Sequence, residues 1–272
     1  VLREIGRLRE VSFRAVGGGS GKDCDLDHFD LEDPACFQLI VWNPEADEII
    51  GGYRFTRWKM ASFHPNGQPY VNTEHLFDFS QKFLDNEFPH CIEMARAFVQ
   101  PKYQSAAGGR KALFALDNLW DGIGGLIATD PTVKYLSGKV TIYSTSPEMS
   151  RKAMVYYLDM SFGDRELLIT SKNPETCTPE QAACFKELFT GADYKENYAI
   201  LNNYVKSLGD SIPPFIHLYI GLSPTMKTFG TTFDPDFGDC YDTAMIITTD
   251  DIYPDKYKRY VESYEKCKVR KC

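Results

Sequence analysis

No run in the 272 residues stays apolar over the roughly 18 positions that a membrane-spanning helix needs. The densest apolar stretches, such as Ala112–Leu116, are only a few residues long. The eight cysteines contain no C-x-x-C pair, which argues against a zinc ribbon or a thioredoxin-type redox centre. They are scattered along a chain too long for a small disulfide scaffold, so free thiols and a reducing, cytoplasmic setting are expected. No G-x-S-x-G elbow occurs, and a serine hydrolase has no support. Positive charge is in short supply: 30 Lys and Arg face 38 Asp and Glu, a net charge of −8, unlike a chain that neutralises nucleic-acid phosphates. What is present is ordinary globular material, 43% hydrophobic and 25% charged, with 14% aromatics, enough for a sizeable core or an apolar groove. The first residue is Val1, so the sequence is expected to begin inside a longer protein.

Two motifs invite a functional reading and fail it. Gly17-Gly18-Gly19-Ser20-Gly21-Lys22 approaches a phosphate-binding loop, but Val16 stands where the first Gly belongs and Asp23 where Ser or Thr belongs. A helical pattern precedes it instead of a strand, so a mobile connector is expected. Asp25-Leu26-Asp27-His28-Phe29-Asp30 starts like a calcium loop, yet Phe29 and Asp30 replace the next acid and the Gly. No metal site is expected.

Along the chain, Leu2, Ile5, Leu8 and Val11 mark an amphipathic opening helix. Cys36–Asn43 and Ile49–Trp58 read as a hairpin, and His90–Gln100 as a strand stopped by Pro101. Thr73 is a plausible cap in the mixed stretch 73–86. A helix over Ala107–Ala128, a strand over Gly138–Thr145, a helix over Pro147–Phe162 and a strand over Arg165–Thr170 follow. Prolines then punctuate short helices at Pro179–Phe189 and Glu196–Leu208, before a strand at Ala244–Thr248 and a terminal helix at Pro254–Lys268. The expected organisation is an α/β unit over 1–170 with a mostly helical extension, 171–272, packed on it.

Several pieces recur in a recognisable order: Arg9-x-Val11-x-Phe13, Asp25-x-Asp27-x-Phe29-Asp30, Gly52-Tyr53-Arg54, Phe77-Asp78, Glu93-Met94-Ala95-Arg96-Ala97-Phe98-Val99 and Pro101-Lys102-Tyr103-Gln104. In this order the chain resembles the N-acyltransferase branch of the GNAT superfamily over roughly residues 1–170. Within that branch it resembles acyl-homoserine-lactone synthases, ornithine-lipid N-acyltransferases and the N-acylglycine (glycine-lipid) synthases that often carry the label hemolysin. Ser223-Pro224-Thr225-Met226 and Phe237-Gly238-Asp239 resemble the last group in particular.

The resemblance implies a GNAT-like α/β fold, a mixed central sheet flanked by helices, and transfer of a long, 3-hydroxylated acyl chain onto an amino-acid amine. Glycine is the implied acceptor and ornithine the alternative; a non-catalytic lipid-binding or membrane-active protein is the rival of another class. No permanently bound cofactor is implied. The co-substrate is an acyl-phosphopantetheine thioester on acyl carrier protein, or acyl-CoA, and membrane contact would be peripheral.

An amine attacking a thioester needs a base, an oxyanion stabiliser and a proton for the leaving thiolate. The resemblance makes Glu93 the base and gives Arg96 a carboxylate or the site's charges to hold. A regular strand puts positions 93 and 96 on opposite faces, so a shared site requires a bulge or separate roles. Arg9, Asp25, Asp27 and Arg54 are candidates for positioning the amine substrate, or equally for structural ion pairs. Phe98 and Val99 would lie beside the pantetheine, along a strand splayed from its neighbour. Gln104, Ala106, Ala107, Gly108, Gly109 and Arg110 would hold the phosphate at a helix N-terminus. Ala107 replaces a Gly of the superfamily's coenzyme-A loop, a departure compatible with a carrier-protein donor. Tyr156 or Tyr157 would protonate the thiolate, against an equal case for plain core residues. Finally, Lys102, Arg110, Lys111, Lys134, Lys139, Arg151 and Lys152 outnumber four acids between 102 and 152, which suggests a basic face for an acidic carrier.

Overall fold

The structure is a computed structural model that describes residues 1–104 and 110–264. In chain order the elements are α1 (Leu2–Arg14), α2 (His28–Leu31), β1 (Phe37–Asn43), β2 (Glu48–Arg57), β3 (Phe77–Phe79), α3 (Gln81–Asn86), β4 (Cys91–Val99) and α4 (Arg110–Thr129). They continue with β5 (Tyr135–Ile142), α5 (Glu148–Phe162), β6 (Ile169–Ser171), α6 (Pro179–Leu188), α7 (Tyr194–Ser207), α8 (Pro214–Ile220), β7 (Lys227–Asp234), β8 (Cys240–Thr248) and α9 (Pro254–Tyr257).

A six-stranded sheet runs in the order β1-β2-β4-β5-β8-β7. Only the β4–β5 pair is parallel; the others are antiparallel. This is the mixed sheet flanked by helices that was expected. Alternation along β8 shows how the layers divide: Met245 and Ile247 enter the large cluster that α4, α5, α7 and α8 bury, while Cys240, Ala244 and Ile246 face clusters containing α1 and the segment between β2 and β4. Burying both faces of the sheet supplies most of the stabilisation.

The region from 171 onward is rich in helices, as expected, and also joins the sheet. β8 pairs with β5 from Tyr135↔Thr248 to Ile142↔Tyr241, and β7 forms the far edge. The two parts of the chain therefore share one sheet. The strand expected at Arg165–Thr170 is the three-residue β6, which pairs with β3 in a separate small sheet. Thr73 caps no helix; Ser80 caps α3 by accepting from the Phe83 N–H, and the Thr73 hydroxyl is used elsewhere.

The glycine loop after α1 is tied down, contrary to the expectation of a mobile connector. The Glu10 carboxylate accepts hydrogen bonds from the Ser20 N–H at 3.0 Å, the Ser20 hydroxyl at 2.8 Å and the Gly21 N–H at 2.9 Å. A loop that imitates a phosphate cradle thus holds a carboxylate of its own chain. None of the helices in the described residues is long and apolar enough to cross a membrane.

Candidate active site

β4 and β5 pair only from Cys91↔Tyr135 to Met94↔Gly138. Beyond that point β4 continues along β2 to Val99, and β5 continues along β8 to Ile142. The two strands part, and their facing edges leave the ladder. The cause lies on β4. Gly52 pairs with Phe98 and Arg54 with Ala95, so Tyr53 alone stands opposite two residues, Arg96 and Ala97. One extra residue bends the strand and reverses its alternation. Arg96 adopts φ +51°, a left-handed conformation that costs a non-glycine residue about 1–2 kcal/mol. Such strain collects at functional sites.

The bulge answers the question of faces. Cys91 and Val99 would share a face on a regular strand, yet Cys91 packs with the cluster around Trp58 and Val99 with the opposite one. Arg96 lies over the Phe237 ring, 4.8 Å from its centre, in the cluster that contains α1. Glu93 reaches Trp58 and Thr73 on that same side. The two residues therefore share a face.

A cavity of about 290 Å³ threads the gap between the parted strands. On the α4 side its walls include Tyr53, Val99, Tyr103, Phe215 and Tyr219. On the α1 side they include Phe13, Glu93, Arg96, Phe98, Phe237 and the Lys139–Asp242 ion pair at 3.1 Å. Glu93 is buried; its Oε1 accepts from the Thr73 hydroxyl at 2.5 Å and its Oε2 from the Trp58 indole N–H at 3.2 Å. These donors aim the carboxylate and leave lone pairs for a further proton. Glu93 and Arg96 are not ion-paired with each other among the described residues.

Arg96 is instead held by Asp25, Nε to Oδ2 at 3.2 Å, and by Asp27 at 3.6 Å. Its Nε and Asp25 Oδ2, though close, are not aligned as a hydrogen bond. Behind them Arg54 pairs with Asp27 at 2.6 Å and Asp30 at 2.9 Å, and Arg9 meets Asp30 at 3.1 Å. Burial pushes the Asp25 carboxyl up, against Arg96, Arg9 and Arg54. Burial also works to raise Asp27, but Arg54 and then Arg96 outweigh it and hold that carboxyl below its ordinary value. The acids that imitate a calcium loop each face a guanidinium, and no cluster among the described residues fits a metal.

Arg9, Asp25, Asp27 and Arg54 stay out of the cavity wall. They form a buried network whose outermost member is Arg96, the ion-pair alternative of their two readings. Phe98 and Val99 do line the cavity, as does Gln104, whose amide donates to the Val99 carbonyl. Ala106, Ala107, Gly108 and Gly109 lie outside the described residues, and Arg110 is described only as the start of α4. For Tyr156 and Tyr157 the geometry fits the core alternative. Tyr157 is fully buried and donates to the Tyr194 carbonyl at 2.8 Å, while Tyr156 stacks on Phe189; neither lines the cavity.

Sequence reasoning missed the roof of the cavity. Pro213, Pro214, Phe215 and Tyr219 belong to α8 and its cap, and the only signal was Pro213-Pro214 before an apolar run. Lys139 and Asp242 meet because β5 pairs with β8, about which local sequence says nothing. The supposed basic face is mostly ion-paired: Lys102 with Glu48 and Lys134 with Asp250 at the surface, Lys139 with Asp242, and Arg151 and Lys152 with Glu175.

Residues 8–112 match the family model described as an acetyltransferase (GNAT) domain. The curated glycine N(α)-acyltransferase of Phocaeicola vulgatus is 44% identical over 266 residues, covering 98% of this chain and 81% of that one. The glycine N(α)-acyltransferase of Bacteroides thetaiotaomicron is 45% identical over 267 residues, 97% and 78% of the two chains. A solved GNAT-like decarboxylase in complex with isobutyryl-CoA shows 12% identity over 81% of this chain at a TM-score of 0.34, too distant a likeness to carry an argument.

Proposed function

This chain belongs to the GNAT-type glycine N(α)-acyltransferases, and from that premise we propose that it transfers a long, 3-hydroxylated acyl chain from a phosphopantetheine thioester to the amine of glycine. The observation that carries the reading is the cavity through the parted strands, apolar on the α4 side and bearing Glu93 and Arg96 on the other.

The thioester lies along the free edge of β4, where backbone N–H groups left out of the ladder meet its carbonyl. Glycine enters from the α1 side with its carboxylate toward Arg96, whose planar fork suits that group. Glu93 accepts the ammonium's proton, and the amine attacks the thioester carbon. The negative charge that develops on the carbonyl oxygen is stabilised by the unpaired backbone donors. Collapse of the tetrahedral intermediate breaks the carbon–sulfur bond, and the leaving thiolate takes up the second proton that the attacking nitrogen sheds. The amide remains.

Glycine is favoured over ornithine because Asp25 and Asp27, the acids that would meet a side-chain ammonium, are already committed to arginines. A carrier-protein donor rests on the sequence alone, with Ala107 where the superfamily's coenzyme-A motif has Gly, since the basic surface that would have supported it is largely ion-paired. The product is an amphiphile, which supports release at a membrane surface from a cytoplasmic enzyme. The test supplies 3-hydroxyacyl carrier protein or the matching acyl-CoA with a mixture of isotopically labelled amino acids and reads amides by mass spectrometry. N-acylglycine should dominate and form faster from the carrier protein. An ornithine amide in excess would overturn the acceptor, and no amide from either donor would overturn the reading.

A further inference from the structure

The α4 side of the cavity is apolar except near the point where the strands part, and there two phenols meet. Tyr53 projects from β2 opposite the bulge, and Tyr219 comes from α8; both are buried and both line the cavity. The Tyr219 hydroxyl lies 3.6 Å from the place a Cβ on Gly138 would take. Gly138 is the last residue of β5 to pair with β4, so this hydroxyl sits at the fork itself. A side chain at Gly138 would meet the Met94 carbonyl at 2.9 Å and crowd the same spot. The rings are held in place by neighbours: Tyr53 meets Phe215 edge-on at 6.3 Å, and Tyr219 meets Trp120 edge-on at 5.6 Å.

Tyr53 is only 2% exposed, and its hydroxyl meets that of Tyr219 without the alignment of a full hydrogen bond. Burial, with the Tyr219 hydroxyl alongside, holds it well above the ordinary tyrosine range, and burial pushes Tyr219 up to about 12. Both phenols therefore stay protonated as donors at neutral pH. A buried pair of hydroxyls with poor mutual alignment gains when a ligand brings a further polar atom to it.

We infer that Tyr53 and Tyr219 read a hydroxyl on the acyl chain close to the thioester, and so select 3-hydroxyacyl donors over unsubstituted ones. This rests on the acyl-transfer reading above. For the amine on the Glu93 side to be attacked through the gap, the thioester carbon must lie at the fork. A hydroxyl on the third carbon is two carbon–carbon bonds from it, within the same neighbourhood as the two phenols. A plain acyl chain would lay methylenes against them and leave the two hydroxyls only each other. A site built to bond a substrate hydroxyl rejects the analogue that lacks it.

The test compares kcat/KM for 3-hydroxyacyl and unsubstituted acyl thioesters of one chain length, with saturating glycine, in wild type, Tyr53→Phe and Tyr219→Phe. Thermal melts of each preparation check the fold. The wild type should prefer the hydroxylated donor by about 10- to 100-fold, the range that one or two buried hydrogen bonds supply. Each Phe variant should bring that ratio toward one. A wild type with no preference, or variants that slow both donors equally and keep the ratio, would overturn the inference while leaving amide synthesis intact. Absence of any amide from the wild type would overturn the acyl-transfer reading, and this inference with it.

Discussion

Glu93→Gln should lower kcat for N-acylglycine formation by about 10²–10⁴-fold, the usual contribution of a general base. The substitution keeps the shape of the side chain and removes its basicity. Glutamine also suits the pocket: its carbonyl can accept from the Trp58 indole N–H while its amide donates to the Thr73 oxygen, whose hydroxyl both donates and accepts. Folding should therefore survive, and the melting temperature should change little. If Glu93 only joins β4 to the segment carrying Trp58 and Thr73, the outcome reverses: the melt falls and turnover per folded molecule holds. Measuring both on one preparation separates the two.

The second large effect is on stability. Arg54→Met should destabilise the fold by about 3–5 kcal/mol, the cost of removing one partner from a buried ion pair. Arg54 is 1% exposed and bonds Asp27 and Asp30 at once, so its loss leaves two carboxylates short of charge; Arg9 still reaches Asp30. The pH dependence carries a definite sign. Asp27 has its folded pKa depressed, and a depressed carboxyl contributes stability that is present above the unfolded pKa and lost as pH falls through the folded one. The gap between wild type and Arg54→Met should be widest near neutrality and narrow below about pH 4, where an unfolded aspartate titrates. A denaturant series at several pH values measures it. Equal stability at pH 7 would show that the network does not hold the site.

Much of the frame around β4 was legible because it is local. α1, the β1–β2 hairpin, β4, α4 and α5 all lie within a few residues of their expected ranges. A bulge was readable only as one of two alternatives, since Glu93 and Arg96 are three residues apart and either a bulge or separate roles would serve. β7 was not seen. Its Lys227–Asp234 run is interrupted by Gly230 at φ +86° and by a register shift between Thr228 and Thr231, which erase the two-residue period. β3, three residues long, is too short to signal at all, and β6, equally short, lies at the end of the longer strand expected over Arg165–Thr170.

The site divides in the same way. Glu93 and Arg96 stand out in a short motif, whereas Arg9, Asp25, Asp27 and Arg54 were visible as charges but not as one another's partners. Their pairing decides their role: it takes them out of the cavity wall and places them behind Arg96. Tyr53 sat in plain view within Gly52-Tyr53-Arg54. Only the fold shows that it stands opposite the bulge and meets a tyrosine from α8, more than 160 residues later in the chain.

The central claim is that the reaction runs through the gap between β4 and β5. The most direct measurement is a crystal structure with a non-reactive thioether analogue of 3-hydroxyacyl-pantetheine. The pantetheine should run along Ala95–Val99, with the sulfur at the fork beside Met94 and Gly138 and the α1 side of the carbonyl open toward Glu93. A ligand bound elsewhere, with the gap between the strands empty, would contradict the account.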